Sequence, residues 1–161
     1  MNPILDWMET TWVSQLAVGY AWSWPILEAL HFLGMILLIG PLLVIDLRLL
    51  GFQRLMPTAS IHELLPLAII GFWINAITGI LFFFGDPYRY AVNISFQLKM
   101  LLLVLAGLNF LLFQFKASPL LSGPGASTEI PGMAKGVAWA SLLFWFGVLA
   151  FGRLIPYLGT G

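Results

Sequence analysis

Four stretches of this chain are apolar for about twenty residues each, and no other feature constrains its fold as strongly. They cover the residues 26–47, 61–84, 95–116 and 134–157. A helix of ~20 residues crosses the ~30 Å hydrocarbon core of a bilayer. Hydrophobic residues form 60% of the chain and charged residues only 9%, against about 25% charged in soluble domains. The sequence therefore predicts a single all-α transmembrane domain over residues 1–161, folded as a four-helix bundle.

The segment before the first span, residues 4–23, is less apolar and rich in aromatic residues. Indole and phenol rings favour the headgroup region of a membrane, so we expect an interfacial amphipathic helix here. The first residues include Asp6 and Glu9 but no basic residue. A secretory leader begins with basic residues, so we expect the N-terminus to be retained.

The basic residues favour one orientation in the membrane. Four of them lie in or beside the first and third loops, whereas the second loop has only Arg89; the four are Arg48, Arg54, Lys116 and Lys135. Lys and Arg accumulate in cytoplasmic loops. We therefore expect a multi-pass protein of the bacterial inner membrane with both termini in the periplasm. The lipid bilayer is its expected surrounding, and a net charge of zero gives no electrostatic case for nucleic acid.

An ionisable pair, Glu28 and His31, lies one helical turn apart within the first span. Ionisable residues are expensive inside a membrane and often have a function there. Gly34 and Met35 follow on the same helix face, and a glycine permits close approach of a flat ligand. Neutral imidazole is a common metal ligand, so His31 is the candidate metal ligand and haem iron is the candidate metal.

Two cations are expected at the depth of His31, namely Lys99 in the third span and Arg153 in the fourth. They would contact haem propionates or carry protons, and Glu28 would orient the site. Two other readings stay open. His31 would only fix helix packing if it bonded Glu28 or a neighbouring helix, and Lys99 would only extend outward to the interface.

Other metal sites are less compatible with the sequence. A second axial ligand from His62 is disfavoured because the two histidines differ in depth by roughly 20 Å across the ~30 Å core, so His62 is assigned to the interface. A di-iron site needs a second Glu-x-x-His pair, which the chain lacks. The absence of cysteine excludes thiolate ligands. Met35 and Met100 are further candidates for a sixth haem ligand.

Several remaining polar residues have structural explanations. Asn75 and Asn109 lie at mid-membrane positions of the second and third spans, where amide side chains commonly join helices. Asp46 and Arg48 are interpreted as an interfacial charged group at the inner end of the first span.

Three runs of the sequence are distinctive, namely H-F-L-G-M-I-L-L-I-G-P-L-L-V-I-D-L-R-L-L-G, T-G-I-L-F-F and N-I-S-F-Q-L-K-M-L-L-L-V-L-A-G-L-N-F-L-L-F. Together they resemble a family of small four-helix bacterial membrane proteins of unknown function. The likeness covers roughly residues 20–116. More distantly, the chain is similar to HemJ-type protoporphyrinogen oxidases and CopD-type membrane proteins. The HemJ likeness implies haem b and assigns functional roles to His31 and Lys99.

The leading expectation is a redox membrane protein that binds haem b or a porphyrin through His31 and takes part in electron transfer. The alternative is a non-catalytic accessory subunit that packs against a larger membrane complex, or a homo-oligomer. A small transporter or proton channel is a third option, but the chain has no inverted repeat. Whether the protein is an enzyme, and on what substrate, stays open.

Overall fold

The computed structural model describes residues 2–52, 59–119 and 130–158, with the side chains of 59–62 outside the description. All regular structure in these residues is helical. The long helices are α3 (Ser23–Leu50), α4 (Ala59–Gly85), α6 (Ile94–Leu112) and α7 (Gly132–Leu154), and the short ones are α1 (Pro3–Glu9), α2 (Trp12–Val18) and α5 (Pro87–Ala91). A π-helical turn, Phe113–Ala117, extends α6.

Four helices are long and apolar enough to cross a membrane, which confirms the predicted fold class. These spans are Ser23–Leu50, Glu63–Gly85, Ile94–Ala117 and Gly132–Leu154. The predicted 26–47 differs most from the structure, because α3 extends three residues further at each end, whereas α7 begins and ends two to three residues earlier than the predicted 134–157. We call the end of the bundle nearest α1, α2 and α5 the outer end and the opposite end the inner end.

Local signals in the sequence determine several helix boundaries. The Asn93 side chain accepts a hydrogen bond from the Phe96 amide at 3.1 Å and so caps α6, as Asn does at helix N-termini. Gly51 ends α3 in the left-handed region, with a φ of 92°, which glycine adopts without steric cost. Pro41 lies inside α3, but the helix continues past it to Leu50.

The N-terminal segment forms two short helices rather than one. Thr11 caps α2 by accepting a hydrogen bond from the Ser14 amide at 3.3 Å, and this cap separates α2 from α1. Hydroxyl side chains of this kind compete with helix continuation and favour a new N-terminus. The α2 helix packs against α4 and α3, while the rings of Trp7 and Trp12 are exposed. Exposed indoles agree with an interfacial position for this segment.

The order of helix packing positions the functional groups. Helix α3 packs against α4 and α7, and α6 packs against α7. Within the described chain, few residues of α4 and α6 approach each other, and the contact between them near the outer end is the stacked ring pair of Phe83 and Phe96, with centroids 5.5 Å apart. The α4–α6 side of the bundle is therefore its most loosely packed side toward the inner end. At the inner end, the core is formed by residues of α3, the π-helical turn and α7, namely Ile45, Leu49, Phe113, Ala117, Ala134 and Ala138.

Small residues allow α3 and α4 to pack closely. A Cβ atom added to Gly71 on α4 would lie 2.7 Å from the Gly34 carbonyl oxygen on α3. A Cβ added to Gly34 would lie 2.6 Å from Nδ2 of Asn75 and 2.9 Å from Cγ2 of Ile74. Close backbone approach through paired small residues is how membrane helices gain packing energy without a hydrophobic driving force.

Candidate functional site: an oriented histidine near the outer end

His31 on α3 is half-buried and points toward α4 rather than away from the bundle. Its Nδ1 atom lies 2.7 Å from Oγ1 of Thr78 on α4. Its ring meets the ring of Phe82 edge-on, with centroids 5.5 Å apart and planes at 73°. Both contacts join α3 to α4, so the imidazole is held by hydrogen bonding at one nitrogen and by ring packing on one side.

The partners of Thr78 favour one tautomer of His31. The Thr78 hydroxyl lies 2.7 Å from the carbonyl oxygen of Ile74, one turn earlier on α4. A hydroxyl has one proton to donate, and threonine hydroxyls in helices commonly bond the carbonyl one turn back. With that proton on the Ile74 carbonyl, the Thr78 oxygen accepts from His31, and the hydrogen lies on Nδ1. Nε2 then keeps its lone pair, and it has no hydrogen-bond partner in the described part of the chain.

This arrangement is the one expected of a ligating histidine. Metal-bound imidazoles commonly donate their other N–H to an oxygen acceptor, which fixes the tautomer and the ring orientation. No group of three or more His, Asp or Glu side chains able to hold a metal occurs within the described residues. A single imidazole suits an iron whose equatorial ligands come from a macrocycle, as in haem.

Lys99 on α6 is half-buried and lies within electrostatic range of His31. Its Nζ atom is 3.5 Å from the position that a Cβ on Gly152 of α7 would occupy, so the absence of a side chain at Gly152 makes room for the ammonium group. Among the described residues, no carboxylate pairs with Lys99. A cation without a partner inside a membrane span is costly, and it offers a site for an anionic group of a ligand.

Glu28 does not contact His31. Its side chain is exposed and accepts a hydrogen bond from Nε1 of Trp24 at 3.2 Å. The bond that orients the imidazole comes from Thr78 on the neighbouring helix. Of the two packing alternatives for His31, the structure thus shows a bond to another helix and not to Glu28.

The other predicted site residues lie at different places around this layer. Arg153 is exposed and its guanidinium lies 5.7 Å from the ring centroid of Tyr157, a cation–π contact. Gly34 faces Asn75 and Ile74 of α4, so its missing side chain serves the helix crossing. Met35 is half-buried and Met100 is exposed. The side chain of His62 lies outside the described residues.

A second group of polar residues lies near the inner end. Asp46, which the sequence assigns to an interfacial charged group, is buried inside the bundle, because it is only 4% exposed and lies beside Ser141 of α7. Asn109 donates from Nδ2 to the Val137 carbonyl at 3.0 Å and joins α6 to α7, in agreement with the packing role predicted for it. The positions of Leu38 and Leu42, eight and four residues before Asp46, could have indicated its burial, since they share its helix face.

These polar groups line a cavity of about 300 Å³ between α3, α4, α6 and α7. Its wall is mostly apolar and includes several aromatic side chains, among them Phe72, Trp73, Phe110 and Trp145. His31 and Lys99 do not line it. The bundle therefore has two separate polar features, an oriented histidine in its outer half and a buried carboxylate in its inner half.

Together, fold and site define a helical, multi-pass membrane protein with an oriented histidine inside its bundle. The chain belongs to the family of unknown function DUF6644, whose model matches residues 4–158. This agrees with the resemblance to a small four-helix family of unknown function. No curated protein and no solved structure matches the chain, and nothing in these comparisons gives evidence for similarity to HemJ-type or CopD-type proteins.

Proposed function

We propose that this protein binds haem b, or a closely related porphyrin, and serves electron transfer in the bacterial inner membrane with both termini in the periplasm. The observation that carries the proposal is the 2.7 Å contact between His31 Nδ1 and the Thr78 hydroxyl, in which Nδ1–H donates when the hydroxyl proton is on the Ile74 carbonyl. It leaves Nε2 as an unprotonated donor inside an apolar span, which is the state in which imidazole binds iron.

The described residues fit a haem in their chemistry. His31 Nε2 would supply the axial ligand, and Thr78 would hold the ring in the required tautomer. The ammonium group of Lys99 would pair with a propionate, which neutralises a buried cation and a buried anion together. Bound haem supplies a one-electron couple at its iron.

The roles of these residues differ and can be separated by experiment. Purified protein in detergent is titrated with haemin and followed by the Soret absorbance. We expect His31→Ala to abolish saturable binding. The matched control is His62→Ala, which removes the other histidine of the chain and should leave binding unchanged.

Thr78→Val tests the positioning role at nearly constant volume. Loss of an outer-shell partner typically costs about 10- to 100-fold in metal affinity, and Thr78→Ser, which keeps the hydroxyl, should restore it. A merely structural Thr78 would alter stability without altering haem affinity. Saturable binding that survives His31→Ala would overturn the proposal. A colourless protein that co-purifies with a stoichiometric membrane partner would favour the accessory-subunit alternative.

A further inference from the structure

The cavity near the inner end differs from a packing defect in two ways. Its volume of about 300 Å³ is at the lower end of the range on the order of 300–1,000 Å³ for small-molecule sites. It also contains a carboxylate, Asp46, which is nearly inaccessible from outside the protein. Empty cavities in proteins are typically apolar, and a buried charge normally has partners that compensate its desolvation.

The polar groups of the cavity can each accept a hydrogen bond. Asp46 lies beside Ser141, and a carboxyl group has more acceptor positions than one neighbour can occupy. Asn109 uses its amide nitrogen on the Val137 carbonyl, so its Oδ1 is the atom left to accept. No Lys, Arg or His is among the described residues that line the cavity. A ligand that donates hydrogen bonds is complementary to these groups.

The cavity walls indicate the rest of the ligand. Rings from three helices line it, from Phe72 and Trp73 on α4, Phe110 on α6 and Trp145 on α7. Aromatic walls favour a planar ring in stacked or edge-on contact. Helices α4 and α6 both line the cavity, and within the described chain few of their residues approach each other apart from the stacked rings of Phe83 and Phe96 nearer the outer end. The gap between them leads sideways into the region that lipid acyl chains occupy.

We propose that this cavity binds the head of a lipid-soluble, hydroxyl-bearing aromatic molecule, of the alkyl hydroquinone class, which enters from the bilayer between α4 and α6. A ring hydroxyl donates to the carboxylate of Asp46, and the alkyl tail leaves through the α4–α6 gap. The volume accommodates a substituted ring but not a helix from a partner. This inference rests on the inner cavity alone and is independent of haem binding at His31.

The test uses purified full-length protein in nanodiscs and two matched probes, decylhydroquinone and its dimethyl ether. The ether keeps the ring and the tail but has no hydroxyl to donate. Binding is followed by the fluorescence of Trp73 and Trp145, and its affinity is confirmed by calorimetry. We expect saturable binding of the hydroquinone at least tenfold tighter than that of the ether, since the ether leaves the buried acceptor of Asp46 without its hydrogen bond.

Two variants complete the test. Asp46→Leu removes the acceptor and should lower hydroquinone affinity at least tenfold while the difference between the two probes disappears. Gly107 lines the cavity, and a Cβ there meets nothing within 4 Å, so Gly107→Phe adds a ring without a backbone clash and should block binding. Gly40 also has open space around an added Cβ but does not line the cavity, so Gly40→Phe is the matched control and should bind normally.

Equal affinity for the two probes would overturn the proposal. Normal hydroquinone binding by Gly107→Phe would also overturn it. A dimer that can be cross-linked through the α4–α6 side, and that excludes the probe, would overturn it as well. The haemin titration of the same preparations reports separately on His31. Failure of one proposal is thus distinguishable from failure of the other.

Discussion

Gly71 lies where α4 passes closest to α3, and Gly71→Ala tests whether this crossing determines the stability of the bundle. A Cβ at this position would lie 2.7 Å from both the Gly34 carbonyl oxygen and the Leu37 carbonyl carbon. Ordinary Cβ contacts begin near 3.4 Å, about 0.7 Å farther out. The clashing atoms belong to the α3 backbone and cannot rotate away as a side chain would, so the two helices must separate.

The cost follows from the extent of the interface. A gap of 0.5–1 Å forfeits roughly a quarter to a half of each dispersion contact, and α3–α4 is the most extensive helix pair in the described chain. Overpacking by one methyl group typically costs about 1–3 kcal/mol. Because backbone yields less than side chains, we expect Gly71→Ala to lower the free energy of unfolding by about 3 kcal/mol.

Two related variants calibrate this value. Gly34→Ala meets side-chain atoms, Nδ2 of Asn75 and Cγ2 of Ile74, which can shift, so its cost should be smaller, at about 1–2 kcal/mol. Gly79 lies on the same helix as Gly71, but an added Cβ there meets nothing within 4 Å. Gly79→Ala should therefore be neutral or slightly stabilising, since alanine is the better helix former.

The assay is reversible unfolding in dodecylmaltoside and SDS mixed micelles, followed by near-UV circular dichroism. The expected order of stability is Gly79→Ala at or above wild type, then Gly34→Ala, then Gly71→Ala. A Gly71→Ala protein as stable as Gly79→Ala would show that the packing of α3 on α4 does not depend on close backbone approach.

Two further predictions concern the outer end. Asn93 is fully buried, caps α6 and donates hydrogen bonds to the carbonyls of Ile155 and Leu158 at 2.9 and 2.5 Å. Asn93→Ala should therefore lower the free energy of unfolding by about 3 kcal/mol in the same assay. Asn93→Ser, which keeps only the cap, should recover about 1 kcal/mol, and equal costs would contradict this division. Tyr88 donates a hydrogen bond to Asp6, which raises the pKa of Tyr88 above its ordinary 10.0. This hydrogen bond should be fully present below pH 10 and lost as the pH rises through the raised pKa. Protease cleavage of the N-terminal helices should therefore increase over that pH range. In Tyr88→Phe, cleavage should be high at every pH.

The sequence was sufficient to predict the number of spans because their length and hydropathy report directly on the bilayer. Asn93 was also recognisable as a helix cap, because the backbone amide that it bonds is only three residues away in the sequence. The N-terminal segment shows the limit of such reasoning. Its aromatic content predicted one interfacial helix, but the hydroxyl of Thr11 starts a second helix at that point.

The site depends on contacts that no local pattern contains. His31 could be recognised from its position in an apolar span, but its orienting partner, Thr78, is 47 residues away. That partner becomes identifiable only when the α3–α4 register is known. The small size of Gly34 predicted close approach of another group, but the sequence did not show that this group is α4. The buried carboxylate of Asp46 was missed because a charge near a helix end was assumed to reach the interface.

Presentation of an unprotonated His31 Nε2 to a haem iron is tested most directly by the visible spectrum of the protein purified from haem-replete cells. We expect a Soret band, a pyridine haemochrome stoichiometry near one haem b per chain, and loss of both in His31→Ala. A wild-type protein that is folded, carries no haem from such cells and takes up none from solution would contradict it.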